Sequence, residues 1–370
     1  MAKCELIGQP LAAVDTPALI VDADILTRNI LNLQRASEAA GLQVRPHIKA
    51  HKTPQIAQMQ VRAGAVGVTA AKIGEAEVMA DAGIEDIFIA NILVGAAKMR
   101  RLVALARRVP KLSVAVDSAE GARQLSEAFG AAGMALDVMI EIDSGAGRCG
   151  VPPERAVALA REIAALPALN IVGLMAYAAG AYSCRTEPER RAYCSEEGTG
   201  LAAIAEQLRQ AGFDIQRISG GSTPTAGRYP AHCGLTEIRS GTYCLNDHNQ
   251  VDLGTCAVGD VAATVLATVV SHPAPDRFII DAGTKSLDQQ VSQLTEGYGV
   301  LLDPPGARVV KINDEHGYLD RTAGDLHIGD KVRIIPPRIC TCLNLYDEMV
   351  IVQDGVVRDV WRIAARGKNV

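Results

Sequence analysis

LQVRPHIKAHKTP, residues 42–54, passes from an apolar run through two histidines and two lysines to a proline that opens a helical pattern. Read as a strand, a polar strand end and a helix start, it is one β-then-α unit. Read alone, the basic cluster is equally a solvated loop, so its neighbours decide. Upstream, ALIVD (18–22) leads into ILTRNILNLQRASEAAG, with apolar residues at helical spacing and a glycine stop. Downstream, GAVGVTA (64–70), DIFIAN (86–91), LSVAVDS (112–118), ALDVMIEIDSG (135–145) and NIVGLMAY (170–177) alternate with helical stretches. FDIQRISGGST (213–223) and TEIRSGTY (236–243) close the series.

About eight such units are what a (β/α)8 barrel needs, and β-branched, unalternating strands are expected where both faces are buried. An open doubly wound sheet is the alternative. No GxGxxG follows the first strand, which counts against a dinucleotide-binding domain. Beyond about residue 250 the texture changes to VAATVLATVVSH, RFIIDAG, KVRIIPP and VVRDVWRIAARG, β-rich runs cut by Gly, Pro and Asp turns. The expected fold is therefore an α/β barrel of the TIM type over 16–248, with a C-terminal antiparallel β domain over 249–370 that also takes in 1–15.

The chain has 370 residues, 48% of them hydrophobic and 21% charged, with a formal charge of −5. That balance argues against nucleic-acid or anionic-membrane partners. Nine cysteines are scattered without a CxxC pair, so neither a disulfide framework nor a zinc ribbon is suggested, and reduced thiols in the cytoplasm are the simpler reading. The start, MAKCELIGQPLAAVDTP, lacks a signal-peptide core, and no apolar run approaches the roughly 20 residues of a membrane span.

In a barrel, chemistry gathers at the carboxyl ends of the strands. The polar residues expected there are His47 and Lys49, Asn91, Asp117, Asp143 and Arg148, Tyr177, Ser219 to Thr223, and Arg239 with Tyr243. Lys49 stands where LQVRPHIK stops being apolar. Among other cations its pKa would fall, making it an amine nucleophile toward an aldehyde; by itself it reads first as an ordinary solvated lysine. The pair Gly220 and Gly221, with Ser222 and Thr223, follows the seventh-strand candidate, where this fold usually binds phosphate. Arg148 ends a glycine-rich loop and suits a planar oxygen or a carboxylate. A lysine, a phosphate cradle and an arginine on one barrel face together point to pyridoxal phosphate.

RPHIKAHKTP, GVTAAKIGEAEVMADAGIEDIFIAN, IDSGAGRCGV, SGGSTPT, TEIRSGTY, IIDAGTKSLD and VWRIAARGK, in that order along the chain, resemble the fold-type III pyridoxal phosphate enzymes. Within these the chain resembles the D-threonine aldolase and D-serine dehydratase family, relatives of alanine racemase. The resemblance implies a barrel with a C-terminal β domain and a homodimer with active sites near the subunit interface. It implies that Lys49 forms the Schiff base, that Arg148 and Tyr177 flank the ring, and that Gly220, Gly221, Ser222, Thr223 and Tyr243 lie on the phosphate segments. His47 and His51 would shape the site, and Lys52 would add positive charge or face solvent.

One segment departs from the family. Metal-dependent members carry a His-x-Cys or His-x-Asp pair before an Asn-Leu; here the stretch is PPRICTCLNLYDE (336–348). Cys340 holds the second ligand position and Arg338 stands where the histidine should be. A guanidinium has no lone pair to give a manganese, magnesium or zinc ion. Cys342 and His248 are substitute ligands that spacing does not require, and loss of the metal is the expectation. Arg338 would then polarise the substrate's β-hydroxyl or bind a carboxylate on its side chain. The implied activity is cleavage of D-β-hydroxy-α-amino acids to glycine and an aldehyde. The alternatives are a D-serine or D-3-hydroxyaspartate dehydratase, a metal-free racemase or epimerase, and a non-catalytic cofactor carrier.

Overall fold

The computed structural model describes residues 3–370 except 276, 293, 321–323 and 325. Residues 1 and 2, at the head of the segment expected to join the β domain, lie outside the described residues. The chain divides into two compact units, one holding Leu31–Lys49 and Ile56–Gly241, the other the N-terminal segment to Ile30, Ala50–Gln55 and Thr242–Gly367.

The strands, in chain order, begin with β1 (Ala18–Asp22), β2 (Gln43–Val44), β3 (Val68–Ala70), β4 (Asp86–Ile89) and β5 (Lys111–Val116). They continue with β6 (Leu136–Ile142), β7 (Leu169–Ala176), β8 (Arg217–Gly220) and β9 (Glu237–Ile238). One sheet runs β2-β9-β8-β7-β6-β5-β4-β3, and every pair in it is parallel. Its two edges also meet. Val66 N–H donates to Val44 C=O at 3.0 Å, Thr69 N–H donates to Pro46 C=O at 2.8 Å, and His47 bridges Thr69 in parallel. These contacts close the sheet into a barrel, so the open-sheet alternative falls away.

The expectation for ALIVD is corrected. β1 pairs antiparallel with β10 (Ala263–Ala274) and parallel with β16 (Glu348–Gln353), outside the barrel. Its core residues Leu19, Ile20 and Val21 are buried on both faces, which is what a barrel strand also shows, so composition could not tell the two sheets apart. With β1 removed, eight parallel strands remain.

Helices follow six of the barrel strands, among them Pro54–Arg62 after β2 and Glu187–Gln210 after β7. The latter starts on a capping box in which Thr186 accepts from Glu189 N–H and Glu189 reaches back to Thr186 N–H. One glycine inside it and one in the segment before β9 permit the two to approach closely. A Cβ on Gly198 would lie 2.3 Å from the Cys233 carbonyl oxygen, and one on Gly234 2.6 Å from the Ala202 Cβ. No helix among the described residues is long and apolar enough to cross a membrane.

Side chains two residues apart fill the barrel in layers. At the amino ends of the strands, Glu237 binds three partners: Arg45 at 3.0 Å, Arg217 at 3.1 Å and the Ser219 hydroxyl at 2.7 Å. Arg45 also pairs with Asp86, and Arg217 donates to Ser113 Oγ at 3.0 Å. The middle layer is Phe88, Ala115, Met139 and Met175. The Arg217 and Arg239 guanidiniums stand 5.5 and 5.9 Å from the Phe88 ring centroid. Burial alone would push Glu237 up, but Arg45, Arg217 and Ser219 more than offset it and hold the carboxyl at about 2.

The second unit is a mostly antiparallel sheet. It adds β11 (Arg277–Ile280), β12 (Val300–Asp303), β13 (Val309–Ile312), β14 (Gly317–Leu319), β15 (Lys331–Ile335) and β17 (Val356–Arg362). The order is β13-β14-β11-β10-β1-β16-β17, with β15 on β10 and β12 on β15. Its core packs Val14, Ile20 and Leu266 against Val350, Val352, Val357 and Val360. Gly8 N–H donates to the Val357 carbonyl at 2.9 Å, and Pro10 bridges Val356.

Replacing Glu237 by leucine removes the carboxylate shared by buried Arg45 and half-buried Arg217, leaving Arg45 only Asp86, and should cost about 3–5 kcal/mol in chemical denaturation. Because the folded carboxyl sits at about 2 against 4.5 when free, its contribution is present above about pH 4.5 and lost as the pH falls toward 2. The Glu237→Leu variant should lack that acid limb.

Candidate active site

The run that opens the barrel separates into two parts. Arg45 sits in the buried ionic layer, His47 is 8% exposed, and Lys49 is exposed. His47 Nδ1 accepts the Lys49 backbone N–H at 3.4 Å, and the His47 backbone N–H donates to the Ser240 carbonyl at 3.0 Å. The turn Ile48–Ala50 therefore ends the strand and turns the lysine amine outward. Lys52, in contrast, is buried at 6% exposure with φ +53°, so the solvent-facing alternative for it is corrected. Its carbonyl accepts the Ala365 N–H at 3.0 Å, and His51 accepts the Thr53 N–H at 3.1 Å. These are the folded unit's own contacts, which no count of basic residues reveals.

Lys49 Nζ stands 5.6 Å from the centroid of the Tyr177 ring, and Arg148 Cζ stands 5.3 Å from it. Three sequence candidates from the ends of β2, β6 and β7 thus converge on one aromatic plate. Arg148 is carried by a loop built on carboxylates. Asp143 accepts the N–H groups of Gly145 at 3.0 Å and Gly147 at 3.1 Å, and Asp117 accepts that of Gly150 at 3.2 Å. Gly150 has φ +101°, and a Cβ there would lie 2.6 Å from Asp143 N. No other residue fits.

The loop after β8 is buried. Ser222 Oγ donates to the Ala178 carbonyl at 3.1 Å, Ser240 Oγ donates to the Ser222 carbonyl at 2.8 Å, and Thr223 is 6% exposed. The Gly221 N–H donates to Glu197 Oε1 at 3.0 Å. A Cβ on Gly220 would meet Leu235 Cδ1 at 2.9 Å and Glu197 Oε1 at 3.0 Å. The glycine pair therefore answers a steric need of the barrel as well as leaving backbone bare. Arg239 braces the same region, donating to the Ala176 carbonyl at 2.6 Å and to Ser219 Oγ at 2.5 Å.

Two buried carboxyls were not singled out from the sequence. Glu197 lies inside the long helix Glu187–Gln210, where helical spacing marks only a polar position. Glu141, on the lumen face of β6 two residues beyond Met139, is 3% exposed. Burial pushes its carboxyl up to about 7, with Asp117 and Asp143 adding to the rise and Arg148 and Arg239 opposing it. Alternation along ALDVMIEIDSG was the available signal, since Met139 and Glu141 share a face.

The remaining candidates belong to the other unit. Tyr243 is buried in the turn Thr242–Cys244. Arg338 is exposed and precedes the short helix Ile339–Leu343. Asp247 accepts the Ile339 N–H at 3.1 Å; burial raises its carboxyl to about 7 against the pull of three backbone N–H groups and Arg338. Cys340 Sγ is 3.5 Å from Thr242 Oγ1. Cys342 donates its thiol to the Ser286 carbonyl at 3.2 Å and burial raises its pKa, while His248 Nδ1 pairs with Asp252 at 3.2 Å. Among the described residues no three His, Cys, Asp or Glu side chains group as metal ligands.

Comparison with known proteins gives a consistent result. The alanine racemase N-terminal domain pattern matches residues 21–248, and that of a putative serine dehydratase domain matches 262–352. A D-threonine aldolase of an Arthrobacter species is 40% identical over 368 residues, covering 97% of this chain and 95% of that protein. A D-threo-3-hydroxyaspartate dehydratase of a Delftia species is 34% identical, covering 89% and 92%. The crystal structure of D-threonine aldolase from Filomicrobium marinum superposes with a TM-score of 0.87 at 34% identity, covering 98% of this chain and 99% of that one.

Because Glu141 is held at about 7 against 4.5 when free, it favours the folded state fully below about pH 4.5, and that favour is lost as the pH rises through 7. Glu141→Gln, which stands in for the protonated acid, should gain stability relative to wild type between pH 5 and pH 8 in urea titrations. A constant difference across that window would refute the assignment.

Proposed function

The chain belongs to the alanine racemase-like family, in its D-threonine aldolase and D-serine dehydratase branch, and from that premise we propose that it is a pyridoxal phosphate-dependent aldehyde-lyase. Its substrates are D-β-hydroxy-α-amino acids and its products glycine and an aldehyde. The observation that carries this is the convergence of Lys49 and Arg148 on the Tyr177 ring at the carboxyl edge of the barrel.

The residues fit the cofactor. Lys49 offers an exposed primary amine for its aldehyde carbon. Tyr177 offers a flat face for the ring and Arg148 a guanidinium at the same plate. Ser222 and Thr223 would hold the phosphate, and His47 holds the backbone that aims Lys49. When bound, pyridoxal phosphate supplies an electron sink for a bond broken at Cα. The protein's task is then to orient the Cα–Cβ bond, accept the β-hydroxyl proton and return a proton to Cα.

Arg338 is the residue we assign to the substrate's far end. Its side chain is exposed, and its charge suits a β-carboxylate such as that of 3-hydroxyaspartate. The 34% identity to a D-threo-3-hydroxyaspartate dehydratase favours dehydration as the second reading, with ammonia as the product. A homodimer in the cytoplasm completes the proposal; nine scattered cysteines without a CxxC pair support a reducing compartment.

Incubating the protein, carrying its visible cofactor band, with D-threonine, D-phenylserine, D-serine and D-threo-3-hydroxyaspartate should release glycine from the β-hydroxy substrates. Ammonia release, or stereoinversion with neither product, would overturn the aldolase reading. Borohydride should fix the cofactor on Lys49, and Lys49→Ala should lose both label and turnover, by at least about a thousand-fold. Arg338→His should raise bound manganese or zinc and shift preference away from hydroxyaspartate. If metal content and preference both stay as in wild type, Arg338 has no such role.

A further inference from the structure

Beneath the loop that follows β8 lies a closed chain of hydrogen bonds that leads away from the ligand side. Glu197 Oε1 accepts the Gly221 N–H at 3.0 Å, and Glu197 Oε2 contacts the Tyr229 hydroxyl. That hydroxyl is 3.1 Å from Thr225 Oγ1. Thr225 Oγ1 accepts the Ser222 N–H at 2.9 Å and donates to the Ser222 carbonyl at 3.0 Å. All four side chains are buried.

Counting protons decides the charge. Three oxygen-to-oxygen contacts, Glu197 to Tyr229, Tyr229 to Thr225 and Thr225 to Ser222, each need one hydrogen. Tyr229 and Thr225 supply one apiece. The third has to come from Glu197, as a carboxylic acid that donates to Tyr229, which donates to Thr225, which donates to the Ser222 carbonyl. Burial pushes Glu197 in the same direction, against the Tyr229 hydroxyl, the Gly221 N–H and the Arg239 charge. Arg239 is already committed to Ser219 and the Ala176 carbonyl. The other titratable groups that feel Glu197 are Tyr193, Cys194 and Cys233, none of them cationic.

We infer that Glu197 is a neutral, proton-donating positioning residue for the phosphate-binding loop, acting through Gly221, Tyr229 and Thr225 on Ser222 and Thr223. The inference rests on the cofactor reading given above. A charged carboxylate directly under the loop would oppose a phosphate carrying about two negative charges, whereas a neutral acid shapes the loop without that repulsion. It also takes the Gly221 N–H out of the ligand's reach and holds Gly221 at φ +90°. The loop's remaining donors are thereby set before the phosphate arrives, which lowers the cost of binding it.

The test compares pyridoxal phosphate with pyridoxal, which shares the aldehyde and ring but lacks the phosphate. Apo-protein is titrated with each, following the visible band for the dissociation constant, and the phosphorus NMR shift of bound pyridoxal phosphate is recorded. Glu197→Gln keeps an acceptor for Gly221 and a donor for Tyr229 and should stay within about three-fold of wild type. Glu197→Leu should weaken pyridoxal phosphate by about ten-fold or more, move the phosphorus shift and leave pyridoxal unchanged. Tyr229→Phe, which removes one oxygen without a cavity, should show the same selectivity if the leucine variant does not fold. Equal losses for both ligands would reduce Glu197 to a general structural role. No loss for either, or a glutamine variant as weak as leucine, would refute the neutral acid. If wild-type protein holds pyridoxal phosphate no tighter than pyridoxal, the phosphate-loop reading itself fails.

Discussion

Glu237 is the pin of the barrel. It draws together Arg45 just after β2, Arg217 and Ser219 from β8, and through Arg45 the Asp86 carboxylate of β4. A barrel of eight strands has an interior just wide enough for side chains to fill, and it is usually filled with branched apolar ones. Here charge occupies the amino-terminal layer, at a desolvation cost that the paired guanidiniums offset. Those bonds tie strands far apart in sequence to one register, so the side chains two and four residues further along reach the opposite mouth at fixed heights.

The consequence is carried upward by alternation. Arg45 in the ionic layer is followed by His47, which orients the backbone, and then by Lys49, whose amine is exposed. On β6 the same period leads from Met139 to Glu141, and on β7 from Met175 to Tyr177. The site is thus the last layer of a packed core. Its loops are held by acids rather than by apolar contacts: Asp143 and Asp117 shape the Arg148 loop, and Glu197 shapes the segment from Gly221 to Thr225. Loops that must stay polar toward a ligand gain rigidity this way without burying their backbone groups unpaired.

Much of this was legible in the residues. The repeated β-then-α texture and the change of texture near residue 250 are local properties, set by burial and turn chemistry over a few residues at a time. Lys49, Arg148 and Tyr177 were also legible, because strand-end position and motif both select them. ALIVD misled for a physical reason: a strand buried on both faces has the same composition whichever sheet buries it, and only its partners β10 and β16 show where it belongs. Lys52 misled similarly, since a left-handed backbone turn and burial by distant chain are invisible in a count of basic residues.

The sequence by itself determined the element types and the family resemblance, because each depends on neighbours along the chain. Only the tertiary structure decided closure of the barrel, the partners of β1 and the engagement of Gly221 by Glu197. It alone brought Lys49 and Arg148 to one aromatic ring. The protonation of Glu197 belongs to the same class. It follows from counting hydrogens among Glu197, Tyr229, Thr225 and Ser222, four residues that share one buried space only after the chain has folded.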